Sequence, residues 1–126
     1  MQNKQEKTSI LSVMFVDDEP GLCLIFADEY EAEGIKVSTY SDPAEAIAAA
    51  HRQPPDLLFL DFRMHGTNGD LVAQAMPASI PKYLITGDIR VETKTNFLLK
   101  FEKPMNFAAI AAVIDAARKI KMNATS

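Results

Sequence analysis

The 126 residues, 13.9 kDa in all, are enough for one domain with one core, and 48% hydrophobic against 24% charged residues excludes the disordered and membrane classes. A net charge of −4 and a pI of about 5.1 repel a polyanion, so direct nucleic-acid binding is not expected. Residues 1–9 lack the apolar core of a signal peptide and no apolar run approaches a bilayer span, so the expectation is a cytoplasmic protein without membrane contact.

In chain order, residues 10–16 (ILSVMFV) predict a first strand whose near-continuous apolar run suits a central position covered on both faces. Residues 20–33 carry Leu22, Ile25, Phe26 and Tyr30 at helical spacing, with Gly34 where a C-terminal cap belongs. A second strand over 35–40 leads to Ser41-Asp42-Pro43, a capping side chain before a proline at the first helical position. An alanine-rich helix follows to His51 and stops before Pro54-Pro55. Residues 57–60 predict another central strand. A short helix over 69–76, a strand over 82–85, a polar helix over 88–96 and a strand over 98–101 come next, although Val91, Thr93 and Thr95 are poor helix formers. The last helix, 105–121, places Phe107, Ile110, Ala111, Ile114 and Ala117 on one stripe, with Arg118, Lys119 and Lys121 near its negative end. Such alternation predicts right-handed βαβ units and a doubly wound parallel sheet. The domain is expected over 9–121, with residues 1–8 and 122–126 as flexible ends, and no internal repeat, separating linker or second domain is expected. The single cysteine, Cys23, excludes an internal disulfide and reads as a small buried helix residue.

The chemistry gathers at the carboxyl ends of the strands: Asp17 and Asp18 after the first, Asp61 after the third, Thr86-Gly87 after the fourth, Lys103-Pro104 after the fifth. That edge is where open α/β sheets bind ligands. Any one of these residues alone would be a turn or cap. Three converging carboxylates repel one another and call for a cation; without His or Cys among them, a hard divalent ion is indicated, Mg²⁺ first. Lys103 adds a second positive charge. A carboxylate beside a metal, an amine and a hydroxyl suits phosphoryl transfer, with Asp61 as nucleophile.

Val16-Asp17-Asp18-Glu19-Pro20, Asp56 through Met64 (DLLFLDFRM), Ile85-Thr86-Gly87 and Lys103-Pro104 together resemble the receiver domains of bacterial two-component response regulators, over about residues 9–121. The resemblance implies a flavodoxin-like five-stranded sheet in order 2-1-3-4-5 and a cis peptide before Pro104. It implies Asp61 as phosphoacceptor, Asp17 and Asp18 as the acidic pair serving Mg²⁺, and the Arg63 backbone carbonyl as a further metal ligand. Thr86 would be the switch hydroxyl and Lys103 the partner of the phosphoryl group. The implied partners are a sensor histidine kinase or histidine phosphotransfer protein and a downstream protein target. The expected cycle is phosphorylation of Asp61 followed by slow self-catalysed hydrolysis.

Three departures from the family pattern stand out. Lys100 occupies the position, three residues before the lysine, where receivers usually carry Tyr or Phe. Asp61 to Thr86 is 25 positions and Thr86 to Lys103 is 17, both short, so the third and fourth helices are expected to be trimmed on a face that receivers use for homodimers or partners. His65 stands where proline is usual; it reads as an exposed loop residue without a role, and His51 as a helix-end residue meeting terminal carbonyls. Met14 and Met64 read as packing, and Glu29, Glu31 and Glu33 as a solvated face. Three other accounts compete. A receiver-like scaffold that binds a partner without phosphorylation is opposed by the complete Asp/Asp/Asp/Thr/Lys set. An aspartate-nucleophile phosphatase needs an acid two residues after the nucleophile, where Arg63 stands. A flavodoxin-like cofactor carrier would want a phosphate-cradling loop where Asp17-Asp18-Glu19 repels phosphate.

Overall fold

A computed structural model describes residues 10–124. Five parallel strands form one sheet, β1 (Leu11–Val16), β2 (Ile35–Tyr40), β3 (Leu57–Asp61), β4 (Lys82–Thr86) and β5 (Leu99–Glu102), in the order β2-β1-β3-β4-β5. This is the order the resemblance implied, and β1, β3 and β4 are the interior strands. Every residue of β3 and β4 is buried, as befits strands covered by helices on both faces.

The two faces divide by strand alternation. On one, Phe15, Phe59, Tyr83 and Phe101 line up across the sheet, with Phe15 stacked on Phe26 at 4.2 Å and Phe59 on Tyr83 at 4.9 Å between ring centroids. Helix α1 (Pro20–Tyr30) buries Cys23, Phe26 and Tyr30 there. The last helix, α4 (Phe107–Ala124), buries Ile110 and Ile114. Tyr30 Oη donates to the Phe107 carbonyl at 2.9 Å, joining the two helices. On the other face, Met14, Val16, Leu58, Leu60 and Leu84 meet the alanine side of α2 (Pro43–Arg52) and the short α3 (Gly69–Ala75). Asp42 caps α2 by accepting from Ala44 N at 3.0 Å. His51 Nε2 donates at 2.8 Å to the carbonyl of Ala75, the last residue of α3, so its terminal-carbonyl contact is with the neighbouring helix.

Several expectations are corrected. Helix α1 ends at Tyr30, because Glu31 turns extended and Ala32 bridges to Ile35; Gly34 lies in that turn (φ +86°) rather than at a helix cap. Its buried stripe is Cys23, Phe26 and Tyr30, while Ile25 is exposed. Helix α4 continues through residues 122–124, which were expected to be loose; residues 1–8 and 125–126 lie outside the described residues. The expected helix over 88–96 is not formed at all. In its place the Asp88 carboxylate accepts from Arg90 N, Thr93 Oγ1 donates to the Thr95 carbonyl, and the buried Asp70 accepts from Lys94 N at 2.8 Å and Thr95 N at 2.9 Å. Side-chain acceptors that capture backbone N–H groups compete with a helix ladder, and the β-branched residues of this segment weaken the ladder further.

At the opposite edge of the sheet from the candidate site, Asp56 Oδ2 accepts from Ser12 N at 2.8 Å and from Lys121 Nζ at 2.7 Å, tying β1 and the approach to β3 to the end of α4. Burial alone would raise the Asp56 pKa, but the Lys121 and Ser12 bonds overcome it and hold the carboxyl below its usual range. A half-buried charged acceptor with this many donors should count: Asp56→Ala is expected to lower the unfolding free energy in urea by about 1–2 kcal/mol. An Asp56→Ala midpoint equal to that of wild type would contradict this.

Candidate functional site

The site lies at the carboxyl edge of the sheet and is set by register. Val16 pairs with Leu60 and Asp61 with Ile85, so Asp17, Asp61 and Thr86 emerge together from three adjacent strands. Backbone bonds fasten the next layer: Phe62 N donates to the Ile85 carbonyl at 2.9 Å, and Lys103 N to the Thr86 carbonyl at 2.8 Å. The Lys103–Pro104 peptide is cis, as the resemblance implied. Gly69 begins α3 directly beneath Asp61, where a Cβ would stand 2.6 Å from the Asp61 carbonyl oxygen; only a residue without one fits this approach.

Asp17, Asp18 and Asp61 each bring a carboxylate oxygen within 4.8 Å of the others. Asp17 and Asp61 are buried and Asp18 is partly so. Lys103 Nζ stands 2.7 Å from Asp61 Oδ1. Thr86 is buried one position past the residue paired with Asp61, and its hydroxyl accepts from Asp88 N at 3.2 Å and donates to the Asp88 carbonyl at 3.3 Å. Arg63 begins a two-strand hairpin, Arg63–Met64 with Thr67–Asn68, two residues beyond Asp61. Three residues before Lys103, Lys100 Nζ donates to the Val91 carbonyl at 2.8 Å and so tethers the loop that replaces the fourth helix. Phe101 belongs instead to the aromatic row on the far side of the sheet.

The electrostatics are those of a crowded carboxylate pocket. At separations of this order and an effective dielectric near 20, each ionised pair repels by about 3–4 kcal/mol. Burial pushes the Asp17 carboxyl up to about 6, against the Glu19 backbone N–H that lowers it, and the Asp61 charge adds to the rise. Asp61 is raised first by burial and then by the Asp18 and Glu19 charges, with Lys103 opposing. For Lys103 burial alone would lower the amine, but Asp61, Asp17 and Glu19 together raise it, so it stays cationic. Asp17 Oδ2 is buried without a hydrogen-bond partner. A buried, unpartnered carboxylate oxygen among hard oxygen donors is the observation that fits a divalent cation. Cys23 is packing: its thiol is buried, donates to the Asp17 carbonyl at 3.3 Å, and burial pushes it up.

Sequence reasoning gave His65 no role, yet its backbone N–H and ring Nδ1 both meet Asp18 Oδ2, at 2.7 and 2.9 Å. Its place in the loop after Asp61 was the available signal, but nothing in the spacing shows which way a two-residue turn will point. Asp70 was also missed, because a carboxylate in the first turn of a helix reads as a surface charge.

Among known proteins, the model of the response regulator receiver domain matches residues 13–115. The probable transcriptional regulatory protein TcrX of Mycobacterium tuberculosis is 33% identical over 87 residues, 67% of this chain and 37% of its own length. The chain thus spans well under half of the curated relatives it matches. Among solved structures, a CheY-like receiver domain from Methanospirillum hungatei superposes with a TM-score of 0.77 at 18% identity, covering 90% of this chain and 98% of that one. The response regulator TrrA of Thermotoga maritima, solved in complex with Mg²⁺ and BeF, gives 0.74 at 22% identity, with 86% and 99% covered. At these identities the structural likeness speaks for the fold.

A raised carboxyl favours the folded state while protonated, so the Asp17 contribution declines as pH climbs from the ordinary 3.8 through about 6. In metal-free protein, Asp17→Asn should therefore stabilise the fold by about 2 kcal/mol at pH 7 and change little at pH 4. Thermal melts at the two pH values check this; an equal effect at both would contradict the assignment of the strain to Asp17.

Proposed function

The chain belongs to the response regulator receiver domain family, and on that premise we propose that Asp61 accepts a phosphoryl group from a phosphohistidine donor and that the product is read by another protein. The observation that carries this reading is Lys103 Nζ at 2.7 Å from the buried Asp61 carboxylate, in a pocket shared with Asp17 and Asp18. A carboxylate oxygen of Asp61 attacks phosphorus, the phosphorus–nitrogen bond of the donor breaks, and its electron pair leaves with the imidazole. Asp17, Asp18, Asp61 and the Arg63 carbonyl would hold Mg²⁺, which when bound offsets the negative charge of carboxylates and phosphoryl oxygens. Lys103 neutralises another phosphoryl oxygen, and its contact with Asp61 places it there in advance. Slow attack of water on the acyl phosphate returns the free carboxylate.

The signal would leave through residues 88–98. If the Thr86 hydroxyl turns to a phosphoryl oxygen, its two bonds to Asp88 are given up. That loosens the start of a loop otherwise held by Asp70 and by the Lys100 amine. This route involves no aromatic side chain, since the residue three before Lys103 is Lys100, whose amine is bound to that loop. A histidine kinase or histidine phosphotransfer protein is the donor the chemistry asks for, and a protein surface is the receiver of the loop's change.

Incubation with acetyl phosphate and Mg²⁺ followed by intact-mass measurement tests the reading. Wild type should gain a single phosphoryl group while Asp61→Asn gains none; an unreactive wild type would favour a partner-binding scaffold instead. For the cation, a titration of Asp18→Ala should show Mg²⁺ binding weakened by about tenfold or more, because losing a direct carboxylate ligand costs at least as much as losing an outer partner of one. Wild-type affinity in that variant would remove Asp18 from the ligand set.

A further inference from the structure

We infer that His65 is a positioning residue for the acidic pocket, its ring holding the Asp18 carboxylate in the orientation that receives the divalent cation. The inference rests on the reading of that pocket as a Mg²⁺ site. His65 and Gly66 form the two-residue turn of the Arg63–Met64/Thr67–Asn68 hairpin, and Gly66 takes φ +74°, a value that favours glycine. The turn aims two donors of His65 at one oxygen: the backbone N–H at 2.7 Å and ring Nδ1 at 2.9 Å, both from Asp18 Oδ2. An ionised carboxylate only accepts, so Nδ1 carries the proton in this contact and Nε2 is left to solvent. The imidazole is otherwise fully exposed, so packing does not explain its place.

Two donors on a single oxygen do what one cannot. They fix the rotation of the carboxyl group about its last bond and leave the lone pairs of Oδ1 for the cation. Partners of this outer kind ordinarily govern metal affinity by ten- to a hundredfold. The backbone bond is available to any residue but proline, so the ring bond is what histidine adds here.

Mg²⁺ titration by calorimetry of wild type, His65→Ala and His65→Asn separates the possibilities, because the Asn side-chain N–H branches from the same carbon as Nδ1 and can make the same bond. His65→Ala should bind Mg²⁺ about five- to tenfold more weakly, the mild end expected of an outer partner that is solvent-exposed, while His65→Asn stays within about twofold of wild type. Melting temperatures without Mg²⁺ should be unchanged in both, since the side chain buries nothing. Wild-type affinity in His65→Ala, or an Asn variant as weak as the Ala variant, overturns the positioning role. A wild type that takes up no Mg²⁺ overturns the pocket reading beneath it.

Discussion

An amine held 2.7 Å from a buried carboxylate, with two more carboxylates inside the same 4.8 Å cluster, is the constraint around which this molecule is arranged. Parallel strands force the arrangement, because all five end on the same edge and deliver whatever follows them to one crevice. Asp17, Asp61 and Thr86 arrive by strand register. Lys103 arrives because its own backbone N–H is bonded to the Thr86 carbonyl. The fold thus buries mutually repelling carboxylates at one edge; burial first and the neighbouring acids second raise Asp17 and Asp61, and the Lys103 charge offsets part of the rise. Two packed faces and the Ser12–Asp56–Lys121 connection at the far edge sustain that strain.

Most of this edge was legible in the sequence, because strands of two-sided burial are continuous apolar runs and the residues after them stand out. ILSVMFV followed by Asp17-Asp18, and LLFL followed by Asp61, announce both the interior strands and the acids that leave them. Capping was equally plain at Asp42-Pro43, which begins α2 as its chemistry requires. What the pattern could not carry was anything decided by a long-range partner. Residues 88–96 have a weak helical pattern, and it loses to Asp70, a residue in another element that takes the N–H groups of Lys94 and Thr95. Lys82 is buried in β4, where a charged residue would not be expected, and becomes tolerable only because carbonyls of Pro77 and Ile80 in the preceding loop receive its amine. His65 looked idle for the same reason, since its contact crosses 47 positions to Asp18.

Two of the departures from the receiver pattern, Lys100 and the lost fourth helix, are connected. A receiver that keeps an aromatic residue before its lysine can couple that ring to the switch hydroxyl. Here the same position sends an amine to the Val91 carbonyl, inside a loop that has no helix to stiffen it and is otherwise fastened by Asp70 and by Thr86 through Asp88. One substitution and one lost helix therefore meet on one segment. Val91 and Phe97 pack it against the core, and its polar contacts are individually worth about 0.5–3 kcal/mol, a scale on which a newly bound phosphoryl group can redistribute conformations.

Whether the crowded edge is a phosphoryl site is tested most directly by a crystal structure grown with Mg²⁺ and beryllium fluoride. The account predicts a fluoroberyllate bonded to an Asp61 carboxylate oxygen, with Lys103 Nζ and Thr86 Oγ1 on its fluorides and the cation among Asp17, Asp18 and Asp61. A pocket without fluoroberyllate at saturating reagent, with the Lys103–Asp61 pair intact and Thr86 still bound to Asp88, would contradict it.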